Sequence, residues 1–479
     1  MISHTRRAVL KTGAATLLAQ GFPGPAAAQR RTVLNDASRL NPVPVVRHWL
    51  ARAEPQSDFI ERLRRELLEA ASERRPVVVG AARHSMGGQS LARDATAITL
   101  ADDPCLPDRA AGTFRAYAGT RWRTVIAALD PLGFSPAVMQ SNHDFGVAST
   151  FSVNAHGWPV PYGPFGSTVR AIRLMLADGT ILTCSPAENE ELFRLAMGGY
   201  GLFGVILELE AEMVPNALLK ARFEAMAAGE FASRFVAAVQ DDAVRMAYGR
   251  LSVAAQGLME QALMVTYRPQ PASASGLPPA GGAASTITRR VYRAQIGSET
   301  AKRVRWIAET VAGPALGSVA TRNTLLNEPV SNLADEDDSR TDILHEYFLP
   351  PERLTDFTAA CRDVFARRDP EFLNVTLRYV AADRSSILAF APTPRIAAVM
   401  SFSQGITPKA DEKMLGLTEE LIDQVIALGG SFYLPYRLHA RRDQVEKAYP
   451  NLAQFAARKR HYDPGLLFRN LMWDAYFGG

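Results

Sequence analysis

One segment restricts this chain more than any other. The apolar run Val77-Val78-Val79 reads as a buried strand. It opens into the loop Gly80-Ala81-Ala82-Arg83-His84-Ser85-Met86-Gly87-Gly88-Gln89-Ser90. Small residues let the backbone come close to a ligand. Consecutive amides can then face one concavity and hold a diphosphate without a lysine. Composition alone allows an ordinary glycine-rich turn equally well. His84 tips the reading, because a neutral imidazole is a nucleophile. The adjacent Arg83 should favour the neutral form by like-charge repulsion.

The flanking sequence suits a mixed fold. A helix is expected from Ser57-Asp58, with Phe59, Ile60, Leu63, Leu67, Leu68 and Ala71 as its apolar face. Pro44 limits the run at Val43 to an edge strand at best. Helix is also expected over 124–132 and 188–197. Strands are expected over 169–175, 181–184 and 205–214, the first two joined by the turn Asp178-Gly179. Strands and helices then alternate, and 411–428 reads as an amphipathic helix. The Pro/Ala/Gly/Ser stretch from Pro269 to Thr286 reads as a loop. A chain of 479 residues should form two or three packed units.

Several classes drop out. Basic residues number 53 against 49 acidic, with no dense basic run flanked by aromatics, so nucleic-acid binding is not expected. No apolar stretch reaches the roughly 18 to 20 residues of a membrane span. Cys105, Cys184 and Cys361 lack metal-ligand spacing, and no metal site is read. Three buried thiols are expected, with one disulfide left open.

The N-terminus reads as a targeting segment. Thr5-Arg6-Arg7-Ala8-Val9-Leu10-Lys11 resembles the twin-arginine export signal, with Val9 where Phe is common. A weakly apolar stretch and Ala26-Ala27-Ala28 follow, in the order a signal peptidase needs. Residues 1–28 are therefore expected to be a signal peptide, and the mature protein periplasmic or secreted. Because that route moves folded proteins, commonly with a cofactor already bound, it hints at a cofactor.

Two further segments bear on the loop. Gln140-Ser141-Asn142-His143-Asp144-Phe145-Gly146-Val147-Ala148-Ser149-Thr150 leads into Ser152-Val153-Asn154-Ala155-His156-Gly157. Its small and hydroxyl residues could donate to phosphate and to an aromatic cofactor. Gly199-Tyr200-Gly201-Leu202-Phe203-Gly204 fits the dinucleotide pattern G-x-G-x-x-G, but a helix precedes it and a strand follows. The Rossmann motif needs the reverse order, so NAD binding is rejected.

Together these segments resemble the vanillyl-alcohol oxidase / p-cresol methylhydroxylase (PCMH-type) FAD-binding superfamily. The similarity extends to aldonolactone and alditol oxidases, decaprenylphosphoryl-ribose oxidases and cytokinin dehydrogenases. It is strongest over 40–218 and recurs at Tyr433-Leu434-Pro435-Tyr436-Arg437 and in the turn Tyr462-Asp463-Pro464-Gly465. The implied fold is α+β: a PCMH-type FAD-binding domain of two α/β subdomains over 40–218, then a substrate (cap) domain over 219–430. The cap should hold a mixed or antiparallel sheet with flanking helices. A C-terminal segment, 431–479, should return to the flavin.

The implied cofactor is FAD, bonded through its 8α carbon to His84. The implied contacts are Gly80, Ala81, Ala82, Arg83, Ser85, Gly87, Gly88, Gln89 and Ser90. Ser141, Gly146, Ser149, Thr150, Asn154, His156 and Tyr433 join them, with Val205 and Ile206 toward the adenine. Many relatives have Arg-Gly where this chain has Ala82-Arg83. No cysteine lies near Asn154, so a second, cysteinyl bond is not expected.

The implied activity is oxidation of a CH–OH group of a sugar, polyol or aldonolactone, with oxygen or a quinone as acceptor. Arg378, Tyr436 and His156 are the candidate catalytic residues, and Glu346 is a further polar candidate. Thr376 stands where alditol oxidases have a glutamate, two residues before the arginine. Two rival readings stay open: amine oxidation of the cytokinin-dehydrogenase kind, and a silent flavin- or ligand-binding module.

Overall fold

The computed structural model describes residues 31–51, 56–271, 276–281, 286–316, 319–330 and 337–478. The expected signal at 1–28 and parts of the 269–286 loop lie outside them. The described chain is α+β, with helices set against three main sheets.

A three-stranded sheet launches the glycine-rich loop. Its central strand, Thr96–Leu100, pairs in parallel with Arg47–Ala51 on one side and Val77–Gly80 on the other. The helix Gln56–Ser72 buries Phe59, Leu63, Glu66, Leu67 and Ala70 against it. Its buried stripe is rotated from the expected one. Leu68 is 48% exposed and Ala71 is exposed. Residues 59, 63, 66 and 70 share one side at helical spacing, and Leu68 falls opposite them. Glu66 is tolerated inside because Arg47 Nη2 donates to it at 2.8 Å.

The second sheet is antiparallel. Val169–Met175 forms a hairpin with Ile181–Cys184, and Val205–Pro215 pairs along its other edge. The helix Glu190–Ala196 precedes the turn 198–204, and the strand follows it. That order is the one on which a Rossmann site was rejected.

The third sheet holds eight antiparallel strands. Its middle runs Met246–Leu251, Phe372–Val380, Arg395–Gly405, Arg340–Leu349. Side chains alternate between its faces. On Arg340–Leu349, His345 and Tyr347 point to the helices: Tyr347 meets Phe357 of Leu354–Arg368, and His345 meets Thr418 of Pro408–Ala427. Leu344 and Glu346 therefore face the other way.

The C-terminal segment returns to the first sheet. Val77 bridges Phe468 in parallel, with Val77 N donating to Leu467 O at 2.7 Å. The turn after Tyr462 makes this possible. Asp463 is buried, pairs with Lys459, and accepts the amides of Leu467 and Phe468 at 2.9 Å each. Cys105, Cys184 and Cys361 are buried free thiols, and burial raises the pKa of each.

Candidate active site: a cavity with two unlike walls

A cavity of about 1220 Å³, measured with its mouth, lies between the glycine-rich loop and the inner face of the third sheet. One wall is mostly backbone. Gly80 to Ser85, Gln89 and Ser90 line it, followed by Ser141, Gly146, Ser149 and Thr150. Among the described residues, the amides of Ala82, Arg83, His84 and Ser85 donate to no group of the chain. The Ser90 hydroxyl is buried without a partner among the described residues. Buried polar groups are nearly always paired, so a row of free donors on a cavity calls for an acceptor-rich ligand.

The loop is held from behind. Met86 N donates to Pro435 O at 2.8 Å, and Gly88 N to the Asp36 carboxylate at 2.8 Å. Gln89 donates to the carbonyls of Leu434 at 2.6 Å and Tyr436 at 3.1 Å, while its own carbonyl accepts Gly87 N. Gly87 and Gly88 were expected to touch the cofactor, but neither lines the cavity. A Cβ on Gly87 would strike the Tyr436 carbonyl, and one on Gly88 the Leu471 side chain. Their small size serves the packing of the loop onto the C-terminal segment.

Arg83 has a left-handed backbone, φ 52°. That conformation costs a non-glycine residue about 1 to 2 kcal/mol, and the Arg-Gly of many relatives puts glycine here. The Arg83 side chain donates to the Thr99 hydroxyl.

His84 lines the cavity with its ring centroid 4.3 Å from that of Phe145. Its pKa is lowered by burial, which outweighs the opposing pull of Asp144, and Arg121 adds a lesser push in the same direction as burial. The neutral imidazole is favoured chiefly by burial, and Arg83 is not among the causes.

The opposite wall is made of side chains. His156 is 3% exposed and Glu346 4% exposed. His156 Nε2 bonds to Glu346 Oε1, and the Tyr436 hydroxyl donates to Glu346 Oε2 at 3.2 Å. Arg378 lines the same space and makes no hydrogen bond or ion pair among the described residues. Burial lowers its pKa, and Glu346 opposes that shift. The Tyr436 phenol is pushed well up by burial and by Glu346, so it stays protonated. Phe348, Phe390 and Tyr433 ring the imidazole at centroid distances of 5.5, 6.1 and 6.4 Å. Tyr433 donates its hydroxyl to Val153 O at 2.8 Å.

The sheet register explains this grouping. Glu346, Val399, Thr376 and Arg250 are successive cross-strand partners, and Arg378 lies one step along the same face. Thr376, in the glutamate's place, accepts a bond from Arg250 at 2.9 Å. The carboxylate at this cavity comes instead from Glu346.

Three expected contacts stand apart from the cavity. Asn154 is a brace: it donates to Asp383 at 2.9 Å and accepts Gly166 N at 2.9 Å. Val205 and Ile206 pair with Met175 and Leu174 inside the second sheet. Tyr200 and Gly201, just before them, line the cavity instead. Gln140 and Phe145, inside the 140–150 segment, also line it, although neither was expected as a contact.

These features fit FAD. Free amides and a free serine hydroxyl suit its diphosphate and ring oxygens. Comparison with known proteins agrees. Residues 53–185 match the family model described as the FAD binding domain. The chain is 30% identical over 108 residues to a putative D-arabinono-1,4-lactone oxidase of Neurospora crassa, covering 22% of this chain and 19% of the relative. It is 33% identical over 151 residues to cytokinin dehydrogenase 8 of Oryza sativa, covering 29% and 28%. It is 32% identical over 88 residues to L-gulonolactone oxidase of Mus musculus, covering 18% and 20%. The chain thus spans less than a third of each of these relatives. Residues 53–185 are thus similar to an FAD binding domain, in keeping with the PCMH-type resemblance of the sequence.

Proposed function

We propose that this protein is an FAD-dependent oxidoreductase that removes two electrons from a CH–OH group of a sugar, polyol or aldonolactone. Oxygen or a quinone reoxidises the flavin. One observation carries the reading: an ionisable cluster, Glu346 with His156, Tyr436 and Arg378, closes the cavity opposite the FAD loop. Bound FAD supplies the two-electron acceptor. The chain's own residues do the rest. The loop amides hold the diphosphate, the aromatic ring around His156 excludes water, and the cluster receives the hydroxyl proton. Arg378 offers a cation to charge that builds up at the reacting end.

His84 is proposed as the covalent anchor. Burial favours its neutral imidazole, whose nitrogen lone pair is the group a covalent flavin bond would use. Export by the twin-arginine route is proposed from residues 5–28 alone. Arg6→Lys with Arg7→Lys should leave the protein unexported in a fractionated cell.

The test is a panel of reductants mixed anaerobically with purified holoprotein while flavin absorbance is followed. D-arabinono-1,4-lactone, L-gulono-1,4-lactone and simple alditols serve as probes. Bleaching by any of them supports the reading. Bleaching by cytokinins alone would move it to amine oxidation, a second reading that the similarity to cytokinin dehydrogenases sustains. A colourless protein that takes up no FAD would sink both in favour of a silent module.

A further inference from the structure

Resting on that reading, we infer that His156 is the base that accepts the hydroxyl proton, through Nδ1, and that Glu346 is its positioning residue. Elimination within the cluster leads there. Arg378 is a guanidinium and carries no basic lone pair. Tyr436 and Tyr433 are buried phenols that already donate, to Glu346 and to Val153 O. Each oxygen of Glu346 already takes part in one hydrogen bond, Oε1 with His156 and Oε2 with Tyr436. Among the described residues, His156 Nδ1 is the basic atom of the cluster that is buried with no partner at all.

Glu346 decides which nitrogen that is. An ionised carboxylate accepts only, so it selects the tautomer with hydrogen on Nε2 and leaves Nδ1 with a bare lone pair. It also stabilises the imidazolium formed when Nδ1 takes a proton. Tyr436 holds the carboxylate's second oxygen and so fixes its orientation. An unpaired polar atom in this apolar ring of Phe348, Phe390 and Tyr433 costs about 1 to 3 kcal/mol. A substrate hydroxyl donating to Nδ1 would remove that cost.

The step balances as follows. The O–H bond breaks and its proton goes to Nδ1. The C–H bond breaks and its two electrons, with the hydrogen, go to oxidised flavin. The C–O bond becomes C=O. The proton leaves His156 before the next turnover. The charged and titratable groups facing His156 are Glu346 on its strand, Arg378 on the neighbouring sheet position, and Tyr433 and Tyr436 of the C-terminal segment.

The experiment compares wild type, His156→Gln, His156→Ala, Glu346→Gln and Glu346→Asp as FAD-loaded proteins. Each variant's flavin absorbance serves as its check of folding. Anaerobic flavin reduction is measured with the probe lactones and alditols across pH. His156→Gln should reduce flavin about 10²- to 10⁴-fold more slowly, with its pH dependence flattened. Glu346→Gln should follow it, and Glu346→Asp should recover part of the rate. Added imidazole should restore rate to His156→Ala, which a merely structural histidine would not allow. Unchanged reduction rates in His156→Gln, or no imidazole rescue, would overturn the base assignment and leave the proposed function standing. A wild type that no CH–OH probe reduces would overturn both.

Discussion

The two walls of the cavity are built on different principles. The loop wall is contiguous in sequence and works through backbone amides. Its side chains are small because the backbone must pass close to its neighbours. The sheet wall collects His156, Glu346, Arg378 and Tyr436 from distant parts of the chain and works through their charges. A backbone wall is damaged by adding atoms, and a side-chain wall by removing them. The loop wall should therefore govern flavin retention, and the sheet wall turnover.

The strongest way to break this contrast is to enlarge the loop where it packs. Gly87→Val puts atoms into the Tyr436 carbonyl, and something must shift. Overpacking of this kind costs about 1 to 3 kcal/mol or more. The variant should melt lower and lose FAD, read by thermal unfolding and by flavin absorbance per chain. A variant that keeps a full flavin complement would show that the loop tolerates displacement.

Gln89→Ala is the next test. It removes two donors to the C-terminal carbonyls and the acceptor of Gly87 N, and leaves buried groups unpaired. A loss of about 2 kcal/mol is expected in denaturant unfolding, with weaker flavin retention and little change in the reduction rate of the flavin that stays bound. A rate loss as large as that of His156→Gln would mean that the walls are not separable.

At neutral pH the smallest effect on the cavity is expected from the far side of the sheet wall, which does not line it. His345 is buried behind Glu346, with bonds from its ring to Tyr347 at 3.1 Å and Thr418 at 3.2 Å. Burial pushes its pKa down to about 3, from 6.5. A depressed pKa means that the unfolded chain binds the proton first. Stability tied to this group is complete above about 6.5 and is lost as pH falls toward 3. One proton gives a slope of at most about 1.4 kcal/mol per pH unit. His345→Gln should be less stable at neutral pH but flatter between pH 6 and 4, by denaturant titration at each pH. An unchanged slope would place the acid sensitivity in other groups.

The contrast also explains what the sequence could reveal. The loop wall was legible because its residues are adjacent and their smallness has a local cause. Even there, Gly87 and Gly88 looked like ligand contacts, since close approach to a ligand and close approach to Tyr436 and Leu471 demand the same residue. The strands 169–175 and 181–184 were legible from their apolar runs and turn. The sheet wall was only half legible. Arg378, Tyr436 and His156 could be nominated singly, but their meeting at Glu346 depends on strand register and on the return of the C-terminal segment. One local signal pointed to Glu346: a carboxylate inside the buried run Leu344-His345-Glu346-Tyr347-Phe348-Leu349. Val205 and Ile206 were expected near the adenine by resemblance alone, and they pair with Met175 and Leu174 inside the second sheet.

The central claim is that the loop wall holds FAD and that His84 is bonded to it. The direct measurement is flavin fluorescence in the pellet and supernatant after acid precipitation, for wild type and His84→Ala loaded with FAD. Flavin that stays with the wild-type polypeptide and is released from His84→Ala is the predicted result. Flavin retained by His84→Ala would put the anchor elsewhere, and a wild type that takes up no flavin would contradict the account of the loop wall.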